Sequence, residues 1–232
     1  ENPIYWYKMQ ECHRVDQAMG LVALGLFKDY EEIRNWPKQF GDVMPGDIKY
    51  KDVNSDGVIN DSDRVPIGST TRPNLIYGFG MSATWKGFDV NLHFQGAGKS
   101  SFFIDGFGVR PFSGGDWGNI LTDVVGNYWS LGTNENPDAK YPRLSSQSNA
   151  NNYQANTVWL ADRSFLKLRN AEVYYRFPKE LMKKTKILGS AKLYVRGTDL
   201  FCSDHIDVAD PECYGVATPL NKSVVVGVTI GF

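Results

Sequence analysis

The chain has 232 residues, 42% of them apolar, and its 25 Lys and Arg nearly balance 26 Asp and Glu, for a formal net charge of −1. That balance excludes the basic field on which nucleic-acid binding depends. No run approaches the roughly 20 apolar residues of a membrane-spanning helix, whereas a strand crossing the bilayer in a barrel needs only about 9–11.

The opening Glu1-Asn2-Pro3 has neither an initiator Met nor a basic-then-apolar leader, as expected of a processed product or an internal piece. Leu21–Phe27 is apolar enough for a first strand, and a long polar connection, 28–73, follows. Leu75, Tyr77, Phe79, Met81, Ala83 and Trp85 then alternate with small residues, and Phe88, Val90, Leu92 and Phe94 alternate with Asp89, Asn91, His93 and Gln95. Lys86-Gly87 between the two runs predicts a tight hairpin with one apolar and one polar face. After a second long connection, 96–164, the alternation over Phe165–Phe177 changes phase, which places a β-bulge near Arg169-Asn170. A moderate connection leads to Leu193 and Val195, alternating with Lys192, Tyr194, Arg196 and Thr198. A third long connection, 202–221, precedes Val224, Val226, Val228, Ile230 and Phe232, which share one phase.

The chain therefore reads as all-β. Long polar connections of this kind are rare in a compact soluble domain, and their alternation with short ones matches the extracellular loops and periplasmic turns of an outer-membrane barrel. A soluble β-sandwich would give turn signals every 8–12 residues at both ends.

Asp52, Asn54, Asp56, Gly57, Val58 and Asp63 follow the spacing of a calcium loop, in which alternate oxygens and the Val58 carbonyl converge on Ca2+. The same residues also suit an Asx-rich turn that binds its own backbone. Phe102, Phe103, Phe107, Phe112 and Trp117 crowd one loop, where flat rings suit packing, contact with a lid protein or sugar stacking. Cys202 and Cys213 lie near enough in sequence for a disulfide or for two thiols. No nucleophile-base arrangement, paired carboxylates or phosphate-cradling glycine loop is present in the sequence, so no enzyme is expected.

Pro45-Gly46-Asp47-Ile48-Lys49-Tyr50-Lys51-Asp52-Val53-Asn54-Ser55-Asp56-Gly57-Val58-Ile59 closely resembles a signature of SusC/RagA TonB-linked transporters. Asp63-Arg64-Val65-Pro66-Ile67-Gly68, Lys86-Gly87-Phe88-Asp89, Tyr141-Pro142-Arg143-Leu144 and Ser164-Phe165-Leu166-Lys167-Leu168-Arg169-Asn170 agree in order, and the resemblance spans almost the whole chain. It implies residues 1–232 as the C-terminal portion of an antiparallel transmembrane β-barrel, roughly six of about 22 strands, with the plug and N-terminal strands elsewhere. It further implies import of an oligosaccharide or peptide across a Gram-negative outer membrane, with TonB acting through the plug and a SusD-like lipoprotein as lid. Asp89, Asn91, His93 and Gln95 would then face the lumen, the opposite face would meet outer-membrane lipid, and Phe232 would serve as an assembly signal. Glu172 and Arg176 depart from the small or polar residues expected on a lumen face. A calcium-stabilised surface module that binds glycans without transport is the alternative.

Overall fold

The computed structural model describes residues 5–9, 13–104, 120–146, 149–185, 187–213 and 218–232. Its strands, in chain order, are β1 (Gln17–Gly20), β2 (Ala23–Leu26), β3 (Ile48–Tyr50), β4 (Val65–Thr70), β5 (Leu75–Trp85), β6 (Phe88–Gly98), β7 (Ser101–Phe103), β8 (Leu160–Asp162), β9 (Phe165–Arg176), β10 (Ser190–Asp204) and β11 (Ser223–Gly231). Two short helices accompany them, α1 (Tyr30–Arg34) and α2 (Lys179–Thr185). No described helix is long and apolar enough to cross a membrane. The chain forms two compact units: a sheet unit of Pro73–Gly98, Arg163–His205 and Thr218–Phe232, and a loop unit of Glu1–Arg72, Lys99–Asp162 and Ile206–Ala217.

The sheet unit is one antiparallel sheet in the order β11-β10-β9-β6-β5. The β5–β6 hairpin closes through Lys86 (φ 47°) and Gly87 (φ 91°), both left-handed, the geometry that matches the twist of a two-residue hairpin. The bulge falls where the phase change placed it: His93 pairs with Asn170 and Phe94 with Leu168, leaving Arg169 as the extra residue. β10 has its own irregularity opposite, between Thr198 and Phe201, where its register with β9 shifts. β5 and β11 are the sheet's outer strands, each with one neighbour in it.

One expected strand lies elsewhere. Leu21–Phe27 contributes β2, which pairs with β3 in the loop unit, so the sheet has five strands and not six. The apolar run was a sound sign of burial but not of its place: Leu21, Leu26 and Phe27 are buried, and Gly25 (φ 103°) breaks the extended backbone that a long strand needs.

The loop unit has a core of its own. Leu21, Leu26, Ile48, Tyr50, Ile59 and Trp129 form one buried cluster, and Val124, Tyr141 and Trp159 form a second. Its strands pair as β1–β4, β2–β3 and β7–β8, all antiparallel. Most described residues of the long connections thus belong to a packed unit, which is how segments of that length avoid being structureless.

Candidate functional site

The strand register sorts the sheet into two faces. On the first, Phe79 pairs with Phe94, Met81 with Leu92, Leu92 with Ala171, Val173 with Val195 and Val195 with Val226. This face is apolar across all five strands, and it is exposed: Val226 has 67% of its surface open and Trp85 68%. A soluble protein rarely presents so continuous an apolar surface uncovered.

The opposite face is polar and paired across strands. Asp89 is buried; its Oδ1 accepts from Thr84 Oγ1 at 2.6 Å, and its Oδ2 lies 2.6 Å from Arg176 Nε. Asn91 donates to the Tyr174 hydroxyl, and Arg196 pairs with Glu172. Gln95 Oε1 accepts from Arg169 Nε at 2.8 Å, while Arg169 Nη1 reaches Asp199 Oδ1 at 2.8 Å, so the bulge aims its extra residue into this network. His93 sits on the same face and is exposed. Of the sequence-predicted set, Asp89, Asn91 and Gln95 have cross-strand partners here. Of Glu172 and Arg176, which look out of place in a single strand, Arg176 is itself the partner of Asp89, and Glu172 pairs with Arg196 in the same ladder. Such pairs are the unit of sheet stabilisation and appear only once register is known.

In the loop unit the signature residues knit distant segments together. Asp47 is fully buried; Arg143 Nε lies 2.7 Å from its Oδ1, and Asn149, Asn152 and the Met44 N–H donate to the two oxygens at 2.8–3.0 Å. Two segments that carried the resemblance, 45–59 and 141–144, therefore meet at this carboxylate. Beside it, Tyr50 donates to the Asn151 carbonyl and accepts from Asn156, and burial pushes its phenol well above the ordinary range. Gly46 (φ 84°) packs on Trp129, whose ring would be 2.2 Å from an added Cβ. Gly46→Ala is expected to cost about 2–4 kcal/mol from left-handed strain plus overpacking. Gly57→Ala shares the strain (φ 82°) but meets nothing within 4 Å, so its thermal unfolding should shift less.

No family model matches the chain. TonB-dependent receptor P26 of Formosa agariphila is 29% identical over 193 residues, covering 83% of the chain and 19% of that protein. TonB-dependent receptor P3 of the same organism is 31% identical over 199 residues, covering 82% of the chain and 19% of that protein. The chain is homologous to TonB-dependent receptors. It spans about a fifth of the length of these curated relatives. Among solved structures, the RagAB peptide transporter matches with a TM-score of 0.69 at 21% identity, over 93% of the chain and 22% of that protein chain. The RagAB peptide importer in its closed-closed state matches with a TM-score of 0.65 at 22% identity, over 92% and 23%. These likenesses show the fold, an antiparallel β chain similar to part of a RagAB chain.

In this TonB-dependent receptor homologue the acidic loop closes on itself. Asp52 accepts from the Ser55 and Gly57 N–H groups, Asp56 from Val58 N–H, and buried Asp63 from the Val53 and Asn60 N–H groups. Asn54 Oδ1 accepts from Asp56 N–H at 3.2 Å, and its Nδ2 donates to Asp56 Oδ2 at 2.8 Å. No group of three His, Cys, Asp or Glu side chains able to hold a metal occurs among the described residues. The residues thus make the Asx-turn contacts that the same spacing also suits; binding of Ca2+ through Asp52, Asn54, Asp56, Val58 and Asp63 is an expectation that calorimetry with added calcium tests. Of the loop aromatics, Phe102 is buried and Phe103 packs against the Val124–Tyr141–Trp159 cluster, while Phe107, Phe112 and Trp117 lie outside the described residues. Cys202 and Cys213 are both thiols, not a disulfide.

A charged clasp completes the loop unit: Lys140 Nζ lies 2.8 Å from Asp123 and 2.9 Å from Asp207, and the Tyr141 hydroxyl donates to Asp123 at 2.6 Å. The Lys140 ammonium, then the Tyr141 hydroxyl, hold Asp123 below the usual carboxylate range. A depressed carboxyl contributes stability above its unfolded pKa and loses it as pH falls through the folded one. Asp123→Asn is expected to remove part of the acid-side loss of stability, read as a flatter melting temperature below about pH 4.

Proposed function

We propose that this chain forms part of the wall of an outer-membrane β-barrel that imports a bulky nutrient, a peptide or an oligosaccharide, with energy delivered by TonB. The observation that carries this is the two-faced sheet: five strands with an exposed, continuous apolar face and a polar, ion-paired face. In a bilayer the first meets hydrocarbon and the second, with Asp89, Asn91, His93 and Gln95, lines the lumen. The outer strands β5 and β11 then pair with further strands of the same barrel, because an open edge in hydrocarbon leaves each unpaired backbone group at a cost of several kcal/mol. The names of the curated relatives support TonB dependence, and RagAB, a peptide transporter by description, makes peptides the first substrates to test. A SusD-like lipoprotein is the proposed lid over the extracellular loops.

The test is to prepare the intact protein that carries this segment from outer membranes. It is expected to migrate as a compact, heat-modifiable species, to need detergent to stay monodisperse, and to take up labelled peptide only in cells with functional TonB. Monodispersity without detergent overturns the barrel. A heat-modifiable protein whose uptake ignores TonB overturns only the energy source.

A further inference from the structure

We infer that the short-turn end of the sheet binds the phosphate headgroups of anionic phospholipids through a collar of Lys86, Lys179, Lys183 and Lys184. This rests on the proposal that the apolar face meets lipid. The register places the collar. Trp85 pairs with Phe88, Phe88 with Tyr175 and Arg176 with Lys192, so the Lys86-Gly87 turn and the connection from β9 to β10, which contains α2, lie at the same end of the sheet.

The apolar face finishes at that end in aromatic rings. Phe88 lies 4.7 Å from Tyr175, and Tyr175 lies 5.2 Å from Phe177. Trp85 stands open beside them, and rings in such a position suit the boundary between hydrocarbon and headgroups. Lys86 Nζ sits 4.9 Å over the Trp85 ring, a cation at the rim of the apolar band. Lys179, Lys183 and Lys184 are exposed on α2, which buries Met182 and leaves Leu181 exposed, with exposed Ile187 just beyond.

Glu180 is the one side-chain carboxylate in the turn and the β9–β10 connection, and β11 brings the Phe232 terminus to the same end, so the four lysines outnumber the negative groups there. The nearby Asp89 lies on the other face, paired with Arg176. Lys183 and Lys184 in the last turn of α2 are also favoured by the helix dipole, but Lys179 stands in the first turn, where a cation is disfavoured, and Lys86 is outside the helix. The dipole therefore accounts for only half of the collar. Clustered cations that border an apolar membrane band match anionic headgroups in charge and in depth.

The experiment uses the intact protein, delipidated in neutral detergent, with phosphatidylglycerol and phosphatidylcholine of identical chains as probes and bound lipid counted by native mass spectrometry. Wild type is expected to prefer phosphatidylglycerol. The Lys86→Gln/Lys179→Gln/Lys183→Gln/Lys184→Gln variant is expected to lose that preference by about tenfold or more, and the matching Lys→Arg variant to keep it. Heat-modifiable migration reports that each variant is folded. Where the quadruple Gln variant does not fold, Lys86→Gln and Lys184→Gln alone decide, each with a drop of about twofold or more. A folded Gln variant with wild-type preference, equal binding of both lipids by wild type, or full displacement of lipid by millimolar inorganic phosphate overturns the inference. A protein that needs no detergent sinks the barrel proposal instead.

Discussion

Asp47→Ala is expected to destabilise the loop unit by about 3–5 kcal/mol, the penalty for removing one partner of a buried ion pair. Asp47 has no exposed surface, and its carboxylate is ringed by donors: Arg143, Asn149, Asn152 and the Met44 N–H. Truncation leaves all of them facing an apolar methyl group, with the Arg143 cation only one-fifth exposed. Asp47→Asn keeps the shape but brings an NH2 group into a ring of donors, so it should recover little. The paired change Asp47→Leu with Arg143→Met removes both charges and is expected to regain much of the loss, because hydrophobic replacement of a buried pair is often neutral or better. Chemical unfolding of the intact protein, followed by proteolysis within the loop unit, measures each step. An Asp47→Ala protein within 1 kcal/mol of wild type would show that the carboxylate does not organise this unit.

The parts of this fold that were legible in the sequence are those written in local alternation. Lys86-Gly87 between two period-2 runs fixed the β5–β6 hairpin, and the phase change around Arg169 located the bulge. The loop unit was not legible, because its organising contacts join residues about a hundred positions apart. Asp47 meets Asn152, and Tyr50 meets Asn151 and Asn156, through polar side chains that in sequence read as loop. A buried asparagine differs from a turn asparagine only by the partner it finds. The ladder from Asp89 to Arg176 and from Glu172 to Arg196 was hidden for a related reason. A charge on one strand looks like an exception until register sets the opposite charge beside it. In the acidic loop one spacing suits both a cation and an Asx turn, and the three-dimensional arrangement shows the turn: the same oxygens accept from backbone N–H groups.

The assignment of faces meets its sharpest test at two adjacent residues of β6. Leu92 pairs with Met81 on one side and Ala171 on the other, so it belongs to the apolar face near the middle of an 11-residue strand. In a membrane that position falls near the hydrocarbon midplane, where an Arg costs about 2–4 kcal/mol. His93 pairs with Gly80 and Asn170 and belongs to the polar face, where a further cation joins water and the Arg169–Asp199 network. Leu92→Arg is therefore expected to lower barrel stability in detergent or lipid by that amount, and His93→Arg by well under 1 kcal/mol. The two substitutions share strand, neighbours and introduced residue, so propensity and local sequence cancel in the comparison. What remains is the medium that each side chain enters. Equal losses would mean that both faces of β6 meet the same environment, which no barrel wall with a wet lumen permits. A larger loss for His93→Arg would reverse the faces and turn the polar ladder toward lipid, where its partly exposed arginines could not be sustained.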